Sequence, residues 1–439
     1  MANILVAGAG HGGLTAAALL ATAGHTVTVL EKGSEDSVGH DWTDIFNLAC
    51  FHEAGIPMPP ESAYEPACHM TFFSPARNRG VSSYIRPEEC TESNMERKEI
   101  LRRLLAFARE RGVALRFGTQ VLRPLAEGNR ITGLEVQTAD GVHRLAADLV
   151  IDAAGMHLPV RSQLPESCGI VRRFAGRQFF NVYRAFYNES GNAPLTDDPF
   201  NVYFFPQGEA AVSWVARELG YVDLLYGRFT KNTPAAAEEL RLFMTAIHPE
   251  LGDAVRRGGQ VNCIPVRRPI PVMVADGYAA VGDSAAMTVP IVGAGICNSI
   301  RAGRFLAETI LAQKEDPFSV AALWQYQVRY MREIGAVHAS LDVLKGFLLG
   351  ADARSLDFLF DKGIMDSAML VKARTGQEIK LTLPKLARSG LHGYSRPGLL
   401  LRLAGVMANG QRLKRHSLRI PAQYSKAAVT AWAKAYAQY

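Results

Sequence analysis

The sequence of 439 residues predicts an α/β fold with an α+β insertion. In this arrangement a domain built on a parallel sheet is interrupted by an antiparallel-sheet domain and followed by a helical C-terminal region. Three observations lead to the prediction. A glycine-rich segment near the N-terminus joins an apolar run to an Ala/Leu-rich one, aromatic residues alternate with polar ones in the middle of the chain, and helix-like periodicity dominates the last quarter.

Composition narrows the class of protein. Apolar residues make up 48% and charged residues 21%, which is typical of a folded globular chain. The net charge of +6 is mild, so we expect no nucleic-acid partner and at most peripheral contact with a membrane. The six cysteines form no CxxC pair, so no metal site is predicted and a cytoplasmic protein with reduced thiols is expected. The N-terminus does not resemble a signal peptide.

The first 31 residues predict a βαβ unit. A strand is expected from Ile4 to Ala7, a helix from Leu14 to Ala23 and a second strand from Thr26 to Leu30. Between the first strand and the helix, Gly8, Gly10 and Gly13 form GxGxxG. These glycines permit a tight turn, close approach of the backbone to a pyrophosphate, and close helix–strand packing. Glu31, followed by Lys32, is placed to bind a ribose, so the unit predicts a Rossmann-like dinucleotide site.

A later segment, "GYAAVGDSAAMTVPIVGAGICNSI", decides which dinucleotide is expected. A strand is predicted from Ala279 to Val281, a turn at Asp283, and a helix that reaches about Ile310. The segment resembles the FAD-dependent family that includes p-hydroxybenzoate hydroxylase and the geranylgeranyl reductases. The resemblance implies that Asp283 holds the FAD ribityl chain and that Arg97, at the start of a predicted helix, contacts FAD. It also implies that the isoalloxazine is lined by Pro290, Gly293 and Gly295.

The same resemblance implies the domain organisation and one difference between branches of the family. FAD-binding segments are expected at 1–165 and 271–312, a substrate domain at 166–270, and the helical region at 313–439. The hydroxylases carry a GADG pattern, whereas Ala154 stands here at the position of its Asp. The "DAAG" form is similar to the geranylgeranyl reductase branch and disfavours an NADPH-dependent hydroxylase.

The middle segments are rich in aromatic residues and alternate as antiparallel strands do. The stretch "VYFFPQGEAAVSW" partly resembles the YxWxFP motif of the geranylgeranyl reductases, without its Trp. Tyr203, Phe205 and Trp214 are therefore predicted substrate contacts. Ordinary sheet-core packing is the alternative for each of them. The basic, leucine-rich segment from Arg396 is expected to be a packed helix, with a membrane-surface helix as the alternative.

The stretch "GHDWTDIFNLACFHEAG" matches neither branch of the family. It follows the second predicted strand, so it is expected beside the cofactor. His40 is the predicted proton donor or acceptor, Asp41 and Asp44 are further catalytic candidates, and Trp42 is a candidate substrate contact. The alternative is that the two Asp residues cap an amphipathic helix that runs to Gly55.

Together these observations predict an FAD-dependent oxidoreductase acting on an apolar or aromatic small molecule. The preferred reaction is hydride transfer from flavin N5 to a carbon–carbon double bond. The alternative is an FAD-dependent monooxygenase that hydroxylates an aromatic or unsaturated substrate, and a non-enzymatic flavin carrier is disfavoured by the second apolar region. No second GxGxxG follows, so NAD(P)H is expected only as a transient electron donor, with a reductase or ferredoxin-like protein as the other candidate donor.

Overall fold

The computed structural model describes residues 1–174, 176–190, 200–218, 220–380 and 396–439. Its strands, in chain order, are β1 (Asn3–Ala7), β2 (Thr26–Leu30), β3 (Thr43–Asn47), β4 (Tyr64–Pro66), β5 (His69–Phe73), β6 (Gly80–Tyr84), β7 (Glu92–Glu96), β8 (Ala114–Arg116), β9 (Gln120–Glu127), β10 (Arg130–Thr138), β11 (Gly141–Ala146), β12 (Leu149–Asp152), β13 (Phe179–Glu189), β14 (Phe200–Phe204), β15 (Ala211–Glu218), β16 (Tyr221–Arg228), β17 (Leu251–Pro265), β18 (Val274–Ala275) and β19 (Tyr278–Ala280). Its α-helices are α1 (His11–Thr22), α2 (Ala49–Glu53), α3 (Arg97–Glu110), α4 (Pro234–Thr245), α5 (Ile296–Leu311), α6 (Val320–Tyr330), α7 (Ala336–Gly350), α8 (Ala353–Asp361), α9 (Ser367–Arg374), α10 (Pro397–Leu418) and α11 (Lys426–Ala437).

The core is a six-stranded sheet in the order β18-β19-β12-β1-β2-β8. All neighbouring strands in it are parallel except the pair β18 and β19. Its central strands are buried, as in parallel sheets that are covered on both faces: α1 packs on β1 and β2, and β10 of a separate three-stranded antiparallel sheet, β11-β10-β9, packs on β12. The predicted Rossmann-like unit is therefore present, and α1 packs against α5, the helix that follows Asp283.

A seven-stranded sheet in the order β17-β13-β16-β15-β14-β5-β6 forms the second large layer. The four strands from β13 to β16 fall in the aromatic middle segments, and these strands pair antiparallel, as their alternation predicts, with β17 added antiparallel to β13. β5 and β6 come from residues 69–84, within the stretch that the sequence assigned to the first cofactor segment, and β5 adds to β14 in parallel. Strands from two separated parts of the chain thus make one sheet.

A short antiparallel sheet, β3-β7-β4, lies between the two large sheets. Residues 43–47 are a strand, so the alternative interpretation of this stretch, an amphipathic helix capped by the two Asp residues and running to Gly55, is wrong. Thr43, Ile45 and Asn47 pair with β7, and this tertiary pairing outweighs a helical pattern that is only a few residues long. The helix that does form, α2, is five residues long and is preceded by Asn47, whose side-chain Oδ1 accepts from the Ala49 amide (2.8 Å).

The C-terminal region is helical throughout its described part. A five-residue π-helical turn, Met331–Gly335, joins α6 to α7, and α10 packs along α7. No described helix by itself is long and apolar enough to cross a membrane. The segment Val320–Gly350 and helix α8 pass the length and composition test only as a pair bent by 114°.

Candidate functional site

A single cavity of about 340 Å³ runs from the glycine loop to the C-terminal helices. At one end it is bounded by the β1–α1 turn and by two segments, residues 281–283 and residues 291–296. The short sheet β3-β7 lines its side. At the other end it lies between one face of the seven-stranded sheet and residues of α7 and α9. The cavity therefore joins the predicted cofactor site to the aromatic sheet.

The glycine loop has the close packing that a dinucleotide site needs. Gly8 has a φ of +88°, which favours glycine, and its amide donates to the Leu30 carbonyl (2.8 Å). A Cβ on Gly10 would lie 2.8 Å from the Ala153 carbonyl oxygen. A Cβ on Gly13 would lie 2.5 Å from the Ala153 Cβ. A side chain at any of these three positions would therefore strain the loop or clash with its neighbours. The first backbone amides of α1 have no side-chain cap, and they are directed at the space where phosphates bind.

Glu31 lies at the end of β2, as predicted. Its Oε2 accepts from the Ala9 amide and its Oε1 from the Gly33 amide, both at 3.0 Å. These bonds fix the carboxylate beside the glycine loop, where it can receive ribose hydroxyls. The Lys32 ammonium is exposed and contacts His157 Nε2 (3.0 Å), so its position is at the rim.

Asp283 and the loop after it form the second wall of the cofactor end. Asp283 lines the cavity, and burial raises its pKa to about 6 although the Arg97 guanidinium lowers it. Gly293 (φ +75°) and Gly295 also line the cavity, and Gly295 precedes the first residue of α5. Pro290 is buried and is not among the described lining residues. The N-terminus of α5 therefore faces the cavity, and it favours negative charge there.

Asp152, which the sequence indicated only as a departure from GADG, ties the two cofactor segments together. It is fully buried at the end of β12. Its carboxylate accepts from the Ser284 hydroxyl (2.9 Å), the Tyr278 hydroxyl (3.0 Å) and two backbone amides. Burial raises its pKa. Since Ser284 directly follows Asp283, this network positions the Asp283 turn, and only the sheet order β19-β12-β1 reveals it.

Arg97 begins α3, as predicted, and forms a bidentate ion pair with Asp44 through both carboxylate oxygens. Both side chains line the cavity, and the guanidinium also stacks on the Trp42 ring (5.3 Å). Asp44 therefore neutralises Arg97 rather than capping a helix. His11 also lines the cavity at the start of α1, and burial lowers its pKa to about 4. Sequence reasoning missed His11 because it is a variable position of GxGxxG.

The other two predicted catalytic residues lie beside this wall. His40 stacks on Trp42 (4.7 Å between ring centres), and its Nδ1 is 3.3 Å from Gln260 Oε1. Burial, and next the Arg97 charge, lower the pKa of His40. Asp41 pairs with Arg257 (3.0 Å). Neither His40 nor Asp41 is among the described residues that line the cavity, whereas Trp42 is.

The apolar face of the cavity comes from the seven-stranded sheet. Trp214 lines it, as predicted for a substrate contact. Tyr203 and Phe205 do not, whereas Val202 and Phe204, the two neighbours of Tyr203 in the chain, line the cavity. Side chains alternate along a strand, so Tyr203 projects from the opposite face, where its ring stacks on Phe73 (5.0 Å). The face of β14 that lines the cavity is therefore the one that carries Val202 and Phe204.

A buried charged cluster supports this face. Arg184 donates to both oxygens of Asp223 (2.9 and 2.8 Å) and to the Thr43 carbonyl (2.5 Å). Trp214 Nε1 donates to Asp223 Oδ2 (2.5 Å). Glu218 accepts from the Thr43 hydroxyl (2.5 Å), and burial raises the Glu218 pKa. The cluster thereby links β3, which borders the cofactor end, to the sheet that carries Trp214.

The wall opposite the sheet comes from the C-terminal helices. Leu348 of α7 and Met369, Leu370 and Ala373 of α9 line it with apolar side chains. Arg374, at the end of α9, pairs with Glu92 of β7 (3.1 Å) and donates to the carbonyls of Ala67 (2.9 Å) and Cys68 (3.1 Å). Both members of this pair line the cavity, and no pattern in the sequence indicated either of them.

The fold and the site together define an FAD-dependent oxidoreductase. A family model described as an FAD binding domain matches residues 1–234, more than half of the chain. The chain therefore belongs to this FAD-binding family, and FAD is its cofactor. The residues present fit this cofactor. The glycine loop has no room for side chains, so its backbone can approach phosphates closely. The carboxylates of Glu31 and Asp283 are placed to bind hydroxyl groups.

Three known proteins illustrate the similarity. A digeranylgeranylglycerophospholipid reductase of Sulfolobus acidocaldarius is 23% identical over 440 residues, covering 95% of this chain and 93% of that protein. The structure of a geranylgeranyl bacteriochlorophyll reductase-like protein from Thermoplasma acidophilum has a TM-score of 0.73 at 18% identity, covering 92% of this chain and 99% of that one. That of p-nitrophenol 4-monooxygenase from Pseudomonas putida has a TM-score of 0.61 at 16% identity, covering 87% and 100%. These likenesses to solved structures establish the shared fold.

Proposed function

We propose that this protein is an FAD-dependent reductase that saturates a carbon–carbon double bond in an apolar small molecule with isoprenoid character. The observation that carries the proposal is the cavity, which places a long apolar wall directly beyond the Asp283–Gly295 segment. Aliphatic and aromatic side chains from the sheet and from α7 and α9 enclose that space. Such a wall suits a hydrocarbon chain better than a polar metabolite.

The names of the relatives point in the same direction. The Sulfolobus protein, whose aligned part spans nearly all of both chains, is named for reduction of a lipid with geranylgeranyl chains. A second relative, from Methanopyrus kandleri, carries the same activity in its name and is 26% identical over 343 residues. We transfer the reaction class to this chain, and with it an unsaturated isoprenoid as the substrate class.

The residues of the chain are assigned distinct roles in this reaction. When bound, FAD supplies the hydride from its N5 position. The glycine loop, Glu31 and Asp283 hold the cofactor, and Arg97 with Asp44 fixes the wall between cofactor and substrate. Trp42, Trp214 and Phe204 exclude water and orient the chain of the substrate. His40, the proton donor that the sequence predicts, packs against the ring of Trp42 and does not line the described cavity, so its role in the proposed reaction is to hold that ring in place.

A monooxygenase is the second candidate function. The fold similarity to p-nitrophenol 4-monooxygenase favours it, since the same architecture serves oxygen chemistry there. Ala154 disfavours it, because the resemblance to the hydroxylases implies an Asp at this position. We place the reductase first for that reason.

The electron donor and the cellular setting follow as proposals. NAD(P)H would reach the flavin transiently, or a reductase or ferredoxin-like protein would reduce it. We propose a cytoplasmic protein that meets its apolar substrate at most at a membrane surface.

Anaerobic half-reactions test the proposal. The purified protein should show flavin bands, and dithionite should bleach them. Adding digeranylgeranylglycerophospholipid in detergent to the reduced protein without oxygen should restore the bands, and the lipid should gain two mass units per double bond reduced. Reoxidation only in the presence of oxygen, with a hydroxylated product, would instead establish the monooxygenase. Titration with NADPH and NADH separates a nicotinamide donor from a protein donor.

A further inference from the structure

Glu92 is a carboxylic acid in an otherwise largely apolar part of the cavity wall. It is the first residue of β7, it is 8% exposed, and it lines the cavity together with Met70 and Phe72 of β5. Burial raises its pKa to about 7, although the Arg374 charge lowers it. A substantial fraction of the carboxyl groups therefore carries a proton at neutral pH.

Glu92 lies towards the flavin end of the cavity. It pairs in register with Asn47 of β3, and both β3 and the following helix α2 pack against α5, which begins directly after the lining residue Gly295. The resemblance places the isoalloxazine against this segment. A carboxyl group at Glu92 therefore borders the space between the cofactor segment and the apolar wall.

The other ionisable side chains that line the described cavity are committed elsewhere. Both oxygens of Asp44 bind Arg97, and Arg184 binds Asp223. Asp283 belongs to the cofactor turn. His11 lies in the glycine loop, where burial lowers its pKa to about 4. Its imidazole is therefore neutral at neutral pH and does not serve as a proton donor. Glu92 is left as the carboxyl that faces substrate.

We propose that Glu92 is the catalytic acid of the reduction, and that Arg374 positions its carboxyl group. Glu92 donates its proton to one carbon of the double bond while the neighbouring carbon accepts a hydride from reduced FAD. The C=C π electrons and the hydride pair form two C–H bonds, the flavin is oxidised by two electrons, and Glu92 becomes a carboxylate. A proton from solvent then restores the acid. This inference rests on the proposed function, since it specifies the proton source for that reaction.

Arg374 sets both the geometry and the acidity of Glu92. Its guanidinium is held by the Ala67 and Cys68 carbonyls, so it can hold one carboxylate oxygen in a fixed place. Among the described residues, the charged and titratable groups around Glu92 are Arg374 from α9, Cys297 from α5, Cys90, whose thiol donates to the Glu92 carbonyl, and Cys68, whose thiol contacts Cys90. The opposite charge of Arg374 favours the ionised form, so removing it raises the Glu92 pKa further.

Glu92→Gln tests the proposal because it keeps the shape and removes the acid. With reduced protein and digeranylgeranylglycerophospholipid, we expect flavin reoxidation to slow by at least about 100-fold. Bleaching by dithionite, flavin content and melting temperature should stay as in the wild type. Glu88→Gln, an exposed acid four residues earlier in the chain, is the matched control and should react normally. Glu92→Asp should restore part of the rate.

The pH profile separates a catalytic role from a structural one. The wild-type rate should fall as the pH rises through about 7, because the protonated acid is the active form. Glu92→Gln should show no such fall. Arg374→Met should shift the fall to higher pH. Infrared spectra of the protein without flavin should contain a protonated-carboxyl band that disappears over the same pH range and is absent in Glu92→Gln.

Three results would overturn the assignment. Normal reoxidation in Glu92→Gln would do so, and so would a comparable loss in His40→Gln with none in Glu92→Gln, which would establish His40 as the donor. Absence of the infrared band would also overturn the assignment, and this result does not depend on which substrate the enzyme uses. If the wild-type protein fails to reduce the lipid, the proposed function fails for that substrate, while the infrared titration still decides whether Glu92 holds a proton at neutral pH.

Discussion

The two ends of the cavity are built in different ways. The cofactor end is made by the backbone: three glycines, the amides at the start of two helices, and a turn fixed by Asp152. The substrate end is made by side chains, drawn from β5, β13 to β16, α7 and α9, which are far apart in the sequence. At the cofactor end there is no room for a side-chain atom on these glycines, whereas at the substrate end one apolar side chain can be replaced by another.

This difference explains why the motifs of the cofactor end can be recognised in the sequence and those of the substrate end cannot. A backbone site depends on spacing within a short segment, so the same residues recur wherever the same cofactor binds. A side-chain wall needs only suitable volume and polarity, so many sequences satisfy it. We therefore expect small substitutions to be costly at the first end and larger ones to be tolerated at the second.

The largest effect is expected for Gly10→Ala. The added methyl group would lie 2.8 Å from the Ala153 carbonyl oxygen, so the loop must move away from the phosphates. We expect FAD affinity to fall about 100-fold, or about 3 kcal/mol. Fluorescence titration of the flavin-free protein measures it. Gly346→Ala in α7 is the control, since its methyl group meets no atom within 4 Å, and it should leave affinity unchanged. Equal affinities in both variants would refute the contrast between the two ends.

A smaller effect is expected for Asp283→Asn in the flavin-free protein. Because the folded-state pKa of Asp283 is about 6, against 3.8 ordinarily, the wild type loses stability as the pH rises from about 4 through 6. The variant does not have this loss. Its advantage in free energy of unfolding should grow from near zero at pH 4 to about 2 kcal/mol at pH 7, a figure reduced for water in the open cavity.

Urea unfolding of both proteins at each pH measures this difference. A constant difference would show that Asp283 is not held in a destabilising site. Loss of FAD binding by the variant at pH 7 would add that the negative charge is kept there for the cofactor.

The smallest effect is expected for Trp214→Phe at the substrate end. The change removes the bond from Trp214 Nε1 to Asp223, but Asp223 keeps both bonds from Arg184. We expect a loss of about 1 kcal/mol in stability, unchanged FAD affinity, and a KM change of less than about tenfold. Tyr203→Phe, on the other face of the same sheet, is the matched control and should leave KM alone. A loss of FAD from Trp214→Phe would mean that the two ends are not separable.

Which features the sequence predicts and which it does not depends on the same difference between the cofactor end and the substrate end. The strands and helix around GxGxxG, the turn at Asp283 and the start of α3 at Arg97 lie where the sequence predicts them, because local spacing defines them. The strand at 43–47 was not predicted, and the alternative interpretation gave a helix there, because the partner of this strand lies about 50 residues away. For the same reason Phe204, not Tyr203 or Phe205, reaches the cavity: the phase of β14 is set by its neighbours β5 and β15.

By itself, the sequence determined the cofactor, the class of enzyme and the elements that hold the dinucleotide, because these depend on short segments in which backbone geometry dictates residue type. Only the tertiary structure decided which side chains face the substrate and that Asp44 neutralises Arg97. It also brought Glu92 and Arg374, 282 positions apart in the chain, to within 3.1 Å. Contacts across that separation are fixed by the packing of whole sheets and helices, and no local pattern in the chain records them.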